Sequence, residues 1–273
     1  MAKVVSFLNM KGGVGKTTLT YNLAWYAAHN KHHKVLVIDL DPQSNLSQSF
    51  MGDEGYQQFL ASDEESVIDI FEKSGGEFNE EIIHIVEEWT DGSLIHIVPS
   101  KIELSRTLKN PTMKEHKLRK FVNTVKDNYD LVLIDCPPTD SILSVASYLS
   151  SDSLIIPVKP EKLAIIGLPL LASSIDEFNN EYRNEFEINV AGIIFNNIEM
   201  SDPPESRLSK REVRAFAQEN DWYVFENEVR ASKAYVNGIR EGKPMFHASR
   251  VRDHVMEEFY LVGDEFLQRI GLS

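Results

Sequence analysis

The run Met10-Lys11-Gly12-Gly13-Val14-Gly15-Lys16-Thr17-Thr18 constrains this chain more than any other segment. It follows the apolar stretch Val4–Leu8 and precedes Leu19–Ala28, so the local order is strand, glycine loop, helix. Glycines let successive backbone N–H groups turn toward one anion, and the N-terminus of the following helix adds positive potential. In such a loop Lys16 reaches the β- and γ-phosphates and the Thr17 hydroxyl ligates Mg²⁺, which makes residues Lys11 to Thr18 a nucleotide cradle. The general pattern places a glycine where this chain has Met10, and the next residue is an additional lysine, Lys11.

Further apolar runs end in chemistry-bearing residues. Lys34–Leu40 reads as a buried strand closing on two acids, Asp39 and Asp41, followed by Pro42-Gln43. Leu131–Ile134 leads into Asp135-Cys136-Pro137-Pro138, where the prolines end the strand. Val190–Phe195 ends in Asn196-Asn197, whose side-chain amides each offer a donor and an acceptor. Carboxyl ends of strands face the crevice where open α/β sheets bind ligands. With Leu94–Val98 and Leu154–Val158, these runs alternate with helical spacing over Thr18–Asn30, Lys114–Lys126, Ile142–Leu149, Gly167–Tyr182 and Ser209–Asn220. The pattern predicts a doubly wound α/β fold with a mostly parallel sheet flanked by helices. The 273 residues read as one domain, with 205–273 its helical C-terminal portion. Asp53–Ser66 and Ser74–Glu80 read as loops around a short helix at Val67–Lys73, and Arg250–Ile270 as a closing helix interrupted near Gly263.

The loop Lys11-Gly-Gly-Val-Gly-Lys-Thr-Thr18 resembles the deviant Walker-A signature of the ParA/MinD family of P-loop ATPases, closest to its small, Soj-like members. The resemblance runs in ordered motifs from Ala2 to Ile198 and more loosely to Phe246. It implies an Mg²⁺-dependent ATPase in which Lys16 acts on its own nucleotide and Lys11 reaches the nucleotide of a second copy, so that ATP holds a homodimer together. By the same resemblance Asp41 orients the attacking water, Asp39 lies nearer the metal, and Asp135 holds Mg²⁺ through a water. Asn196 is the favoured adenine reader of the pair Asn196 and Asn197, and Ile156-Pro-Val-Lys-Pro160-Glu161 is similar to a stretch beside the nucleotide. Departures are Asp140-Ser141, where small glycine-containing sequence is common, and Lys162-Leu163 in place of an aromatic pair.

The formal charge of −14 opposes attraction to nucleic acid only if it is evenly spread. Between Phe50 and Glu103 acids face only Lys73 and Lys101, a strongly negative segment. Between Glu205 and Arg252 basic residues outnumber acids, with Arg230 in a Val-Arg-x-Ser context and Lys233 where the family carries an acid. The resemblance implies that Arg230, Lys233, Arg240 and Arg250 hold duplex DNA without reading sequence, and that a ParB-like or cargo adaptor protein stimulates hydrolysis. The implied role is partition or positioning of a plasmid or chromosome. The alternatives are MinD-like or ParA-like positioning of a protein cargo, and a metabolic P-loop ligase, which would not require Lys11.

One cysteine, Cys136, excludes a disulfide pair and a thiolate metal site, and fits a reducing compartment. No run approaches the roughly 20 apolar residues of a membrane span. The acidic tail Met256–Ser273 disfavours an anionic lipid surface. These features predict a cytoplasmic protein without a membrane partner; the resemblance implies that it associates with the nucleoid when ATP is bound and has no separate N-terminal DNA-binding domain.

Overall fold

A computed structural model describes residues 2–73, 80–109, 114–161, 164–183 and 185–272. The expected loop over Ser74–Glu80 and the departure at Lys162-Leu163 lie almost wholly outside these residues. The strands are β1 (Lys3–Phe7), β2 (Lys34–Asp39), β3 (His84–Glu88), β4 (Leu94–Val98), β5 (Leu131–Asp135), β6 (Ser153–Val158) and β7 (Asn189–Phe195). The helices are α1 (Lys16–Trp25), α2 (Asn45–Ala61), α3 (Val67–Glu72), α4 (Ser105–Lys109), α5 (Lys117–Val125), α6 (Ile142–Ser150), α7 (Ala164–Glu181), α8 (Pro204–Glu219), α9 (Lys233–Arg240) and α10 (Asp253–Arg269).

The strands form one sheet in the order β3-β4-β2-β5-β1-β6-β7, parallel throughout except for the edge strand β3, which runs antiparallel to β4. Alternate residues of the central strands feed two apolar layers, as expected of parallel strands buried on both faces. Val4, Leu36, Ile38, Val132 and Ile134 pack with α3, α5, α6, α7 and α8 on one side. Val5, Phe7, Val35, Val37, Leu131 and Leu133 pack with α1, α9 and α10 on the other. The doubly wound reading is correct, and all six predicted strands are present.

β3 has no counterpart in the sequence reading, because its edge position leaves Ile85 and two glutamates exposed and breaks the apolar run. The stretch Asp53–Ser66 is not all loop. α2 continues to Ala61 after a break at Gly52, whose φ of 69° is left-handed, because Tyr56 and Phe59 lie three residues apart and are both buried. Tyr56 also donates to the Ser100 carbonyl at 3.1 Å.

The expected interruption of the closing helix at Gly263 is also absent: α10 runs through it. This glycine serves close packing. A Cβ there would lie 2.4 Å from Cδ1 of Tyr26, whose ring and hydroxyl hold α10 against α1 and its continuation, with the hydroxyl donating to Asp264 at 2.8 Å. Gly263→Ala therefore gains helix propensity of up to about 1 kcal/mol but overpacks the Tyr26 ring, which costs about 1–3 kcal/mol. A net fall in thermal midpoint is expected; a rise would show that the ring shifts freely.

Candidate functional site

The carboxyl ends of β1, β2, β5, β6 and β7 converge on one edge of the sheet. β1 releases the chain at Leu8, and Gly15, with φ 89°, turns it into α1. Gly15 has a second reason to be glycine: a Cβ would sit 2.0 Å from Nδ2 of Asn196, which reaches across from the end of β7 to donate to the Val14 carbonyl at 2.7 Å. Asn9 braces the other side of the loop. Its Nδ2 donates to the Pro157 carbonyl at 2.7 Å, and its Oδ1 accepts the Lys11 N–H at 2.9 Å. The Lys16 ammonium is buried and donates to the Asn9 carbonyl at 3.3 Å. Burial lowers its pKa, and the Asp135 charge opposes that shift.

Asp39 and Asp135 occupy paired positions at the ends of adjacent strands, and both are buried. Burial raises the Asp39 carboxyl to about 6 even though Ser47 and the Asp41 N–H donate to it. Burial, followed by the nearby Asp39 charge, raises Asp135 as well. Asp135 Oδ2 accepts the Thr17 hydroxyl at 2.6 Å, while Oδ1 is buried with no hydrogen-bond partner among the described residues. A partnerless buried carboxylate oxygen, a second buried carboxylate and an adjoining hydroxyl form a hard oxygen donor set suited to Mg²⁺. Thr17 and Asp135 are the residues that would hold such a cation, with Asp39, whose oxygens already accept from Asp41 and Ser47, beside them. Such a cation would offset the cost of burying two acids.

Asp41 lies on the wall of a cavity of about 740 Å³ with Gly12, Gly13, Gly15, Lys16, Thr17 and Thr18. Its Oδ1 accepts the Gln43 N–H at 2.9 Å, and its carbonyl accepts the Ser44 N–H and the Ser100 hydroxyl. A second cavity of about 200 Å³, bounded by Gly13, Gly15 and Thr18, brings Asn196 and Asn197 beside Arg230 and Tyr235. The Asn196 amide is engaged by the loop, whereas Asn197 is exposed with φ 56°. Pro160 lies in a third cavity with Asn197, Lys159 and Glu161, apart from the phosphate loop.

Lys11 does not project freely. Its ammonium meets Glu161 Oε2 at 2.9 Å, and Lys159 pairs with the other oxygen of the same carboxylate. The Lys159 and Lys11 charges hold the Glu161 carboxyl below its usual range. The four residues expected at DNA separate. Arg230 pairs with Glu258 at 3.1 Å. Lys233, Arg240 and Arg250 are all exposed, and Arg240 also stands in the wall of the cavity beside the glycine loop.

Sequence reading missed Asn9, Ser47 and Ser100. Asn9 was visible as a polar residue between β1 and the loop; the two serines carry no local signal. Ser47 Oγ donates to Asp39 Oδ2 at 2.7 Å and accepts the Ser100 N–H at 2.8 Å, while Ser100 Oγ donates to the Asp41 carbonyl. Ser47→Ala removes a donor to Asp39 and leaves the Ser100 N–H unpaired, a loss of about 1–3 kcal/mol. Chemical denaturation should record that fall, and no change would mean that water replaces the hydroxyl.

A family model described as an AAA domain matches residues 2–188. An uncharacterized protein of Methanocaldococcus jannaschii is 32% identical over 250 residues, spanning 89% of this chain and 90% of its own length. The sporulation initiation inhibitor protein Soj of Bacillus subtilis is 34% identical over 178 residues, 64% of this chain and 65% of its own. In fold, the ATP complex of a Cyanothece McdA variant superposes with a TM-score of 0.81 at 18% identity, covering 100% of this chain and 97% of that one. With the two-lysine loop and the ordered strand-end acids, these similarities place the chain in the ParA/MinD-type family of P-loop ATPases.

Proposed function

We propose that this chain is an Mg²⁺-dependent ATPase that dimerises on ATP and positions DNA cargo, with hydrolysis stimulated by a ParB-like or cargo adaptor protein. The observation that carries this reading is the second lysine. Lys16 is already buried against the floor of its own loop, so Lys11, partly exposed and paired with Glu161, is the lysine of the loop left to serve another nucleotide once that pair opens. The relatives support a positioning role, since Soj proteins and a protein described as of the ParA family, from a virulence plasmid, are similar to this chain.

Catalysis with these groups is positioning and charge neutralisation. Loop amides and Lys16 hold the phosphates. Asp41, whose Oδ1 accepts the Gln43 N–H, lines the cavity and is assigned to orient the attacking water. Mg²⁺, held by Thr17 with Asp39 and Asp135 behind it, would supply the charge that stabilises the departing phosphate. Asn196, which braces the Val14 carbonyl, is assigned to the adenine edge. Pro160, beside Asn197, bounds the same side. A contact made by Lys11 only in the dimer would make turnover depend on pairing, so that hydrolysis times the life of the ATP state.

Arg230, Lys233, Arg240 and Arg250 are assigned to the backbone of duplex DNA, and on this reading the ATP-bound form sits on the nucleoid in the cytoplasm. Arg230 has to exchange Glu258 for phosphate, which ties DNA affinity to movement of α10 or of the 230 segment. No described helix is long and apolar enough to cross a membrane.

Two measurements test the reading. Lys11→Ala should lower turnover by on the order of a hundred-fold while ATP affinity of the single chain stays near wild type; unaltered turnover would favour a metabolic ligase. Asp41→Ala protein, trapped before hydrolysis, should bind duplex DNA with ATP and not with ADP, weakened by salt and by Arg230→Ala. Absence of binding in every nucleotide state would remove DNA as the matrix and leave a protein cargo.

A further inference from the structure

α9 lies along the nucleotide site. Arg230, Ala231 and Ser232, leading into its first turn, bound the smaller cavity beside Thr18. Its last turn supplies Ile239 and Arg240, and the following bend Gly242, to the cavity that holds Lys16, Thr17 and Asp41. The placement is fixed from α1. Asn22, on the helix that opens at the phosphate loop, donates Nδ2 to the Thr18 carbonyl at 2.8 Å, and its Oδ1 accepts the Met245 N–H at 2.7 Å. The bend itself is tight, since a Cβ on Gly238 would lie 2.7 Å from the Lys243 carbonyl oxygen.

Charge singles out Arg240. Lys16 and Arg240 are the two cations among the described residues that line this cavity, against Asp41 and Asp53 on the wall. Asp39 and Asp135 are buried at the floor of the site. A triphosphate with one divalent cation still carries net negative charge, and one lysine among four acids is poor compensation for it. The neighbouring acid does not occupy the arginine: the Glu241 carboxylate accepts the Ser249 N–H at 2.9 Å and its hydroxyl at 3.0 Å. Among the described residues no carboxylate lies within ion-pair distance of Arg240.

We propose that Arg240 is a phosphate ligand of the nucleotide, supplied by the same chain, in addition to the DNA contact assigned to it above. A planar guanidinium can hold two phosphate oxygens at once, whereas a lysine offers a point charge. The inference rests on the nucleotide-binding reading above and adds a specific residue to it. It also makes the end of α9 sensitive to whether phosphate is present.

The test is ATP binding by the full chain in Mg²⁺, with inorganic tripolyphosphate as a competing probe. Arg240→Ala should weaken both by about ten-fold, the scale of one charge-assisted contact. Arg240→Lys should recover part of the loss, and Lys120→Ala, on α5 across the sheet, should leave both affinities as they are. Unchanged affinities of Arg240→Ala for ATP and tripolyphosphate overturn the proposal, whether or not DNA binding falls. A loss for ATP with none for tripolyphosphate also overturns it, because the contact would then be to base or sugar. Failure of the unmodified protein to bind ATP would instead overturn the nucleotide reading itself, and this inference with it.

Discussion

The architecture turns on two buried carboxylates brought side by side. β2 and β5 are neighbours in register, so Asp39 and Asp135 end adjacent strands at the same level, beneath the glycine loop released by β1. Burial pushes both toward the neutral form, and only Lys16 and a few donors oppose it. This arrangement is costly without a cation, and the unmatched Asp135 Oδ1 marks where one fits. Loop, helix α1 and the segment after β2 are all held in relation to that pair, through Thr17 on one side and Ser47 on the other.

The local parts of the site were legible in the sequence. A glycine loop between strand and helix is contiguous, and buried parallel strands advertise themselves as unbroken apolar runs ending at the crevice. Contacts between distant segments were not. Nothing near Asn196 announces that it braces Val14, 182 positions away, and nothing near Glu161 announces that it holds Lys11. Gly263 was read by its low helix propensity, and the packing of Tyr26 against it decided otherwise. Asp53–Ser66 was read by its acids and glycine, whereas Tyr56 and Phe59 had the deciding share, since two buried aromatic rings outweigh a polar surface.

The C-terminal portion is joined to the nucleotide-binding portion through a common core. Phe259 and Phe266 of α10 share an apolar layer with Phe7 of β1, and Arg269 donates to the Ala191 carbonyl of β7 at 3.1 Å. The 224–230 segment runs beside β7, with Val229 N–H donating to the Phe195 carbonyl at 2.8 Å. Arg230 and α9 therefore stand one hydrogen-bonded step from the strand that carries Asn196. A change at the loop has a short, packed route to the basic residues, which is what a nucleotide-controlled surface requires.

Pairing of two copies around ATP is the claim on which the timing role depends. It is tested by the molar mass in solution of the Asp41→Ala protein with Mg²⁺ and either ATP or ADP. The account predicts a doubling of mass with ATP alone, lost when Lys11→Ala is added. A mass that does not change with ATP, or that doubles equally without Lys11, would contradict it.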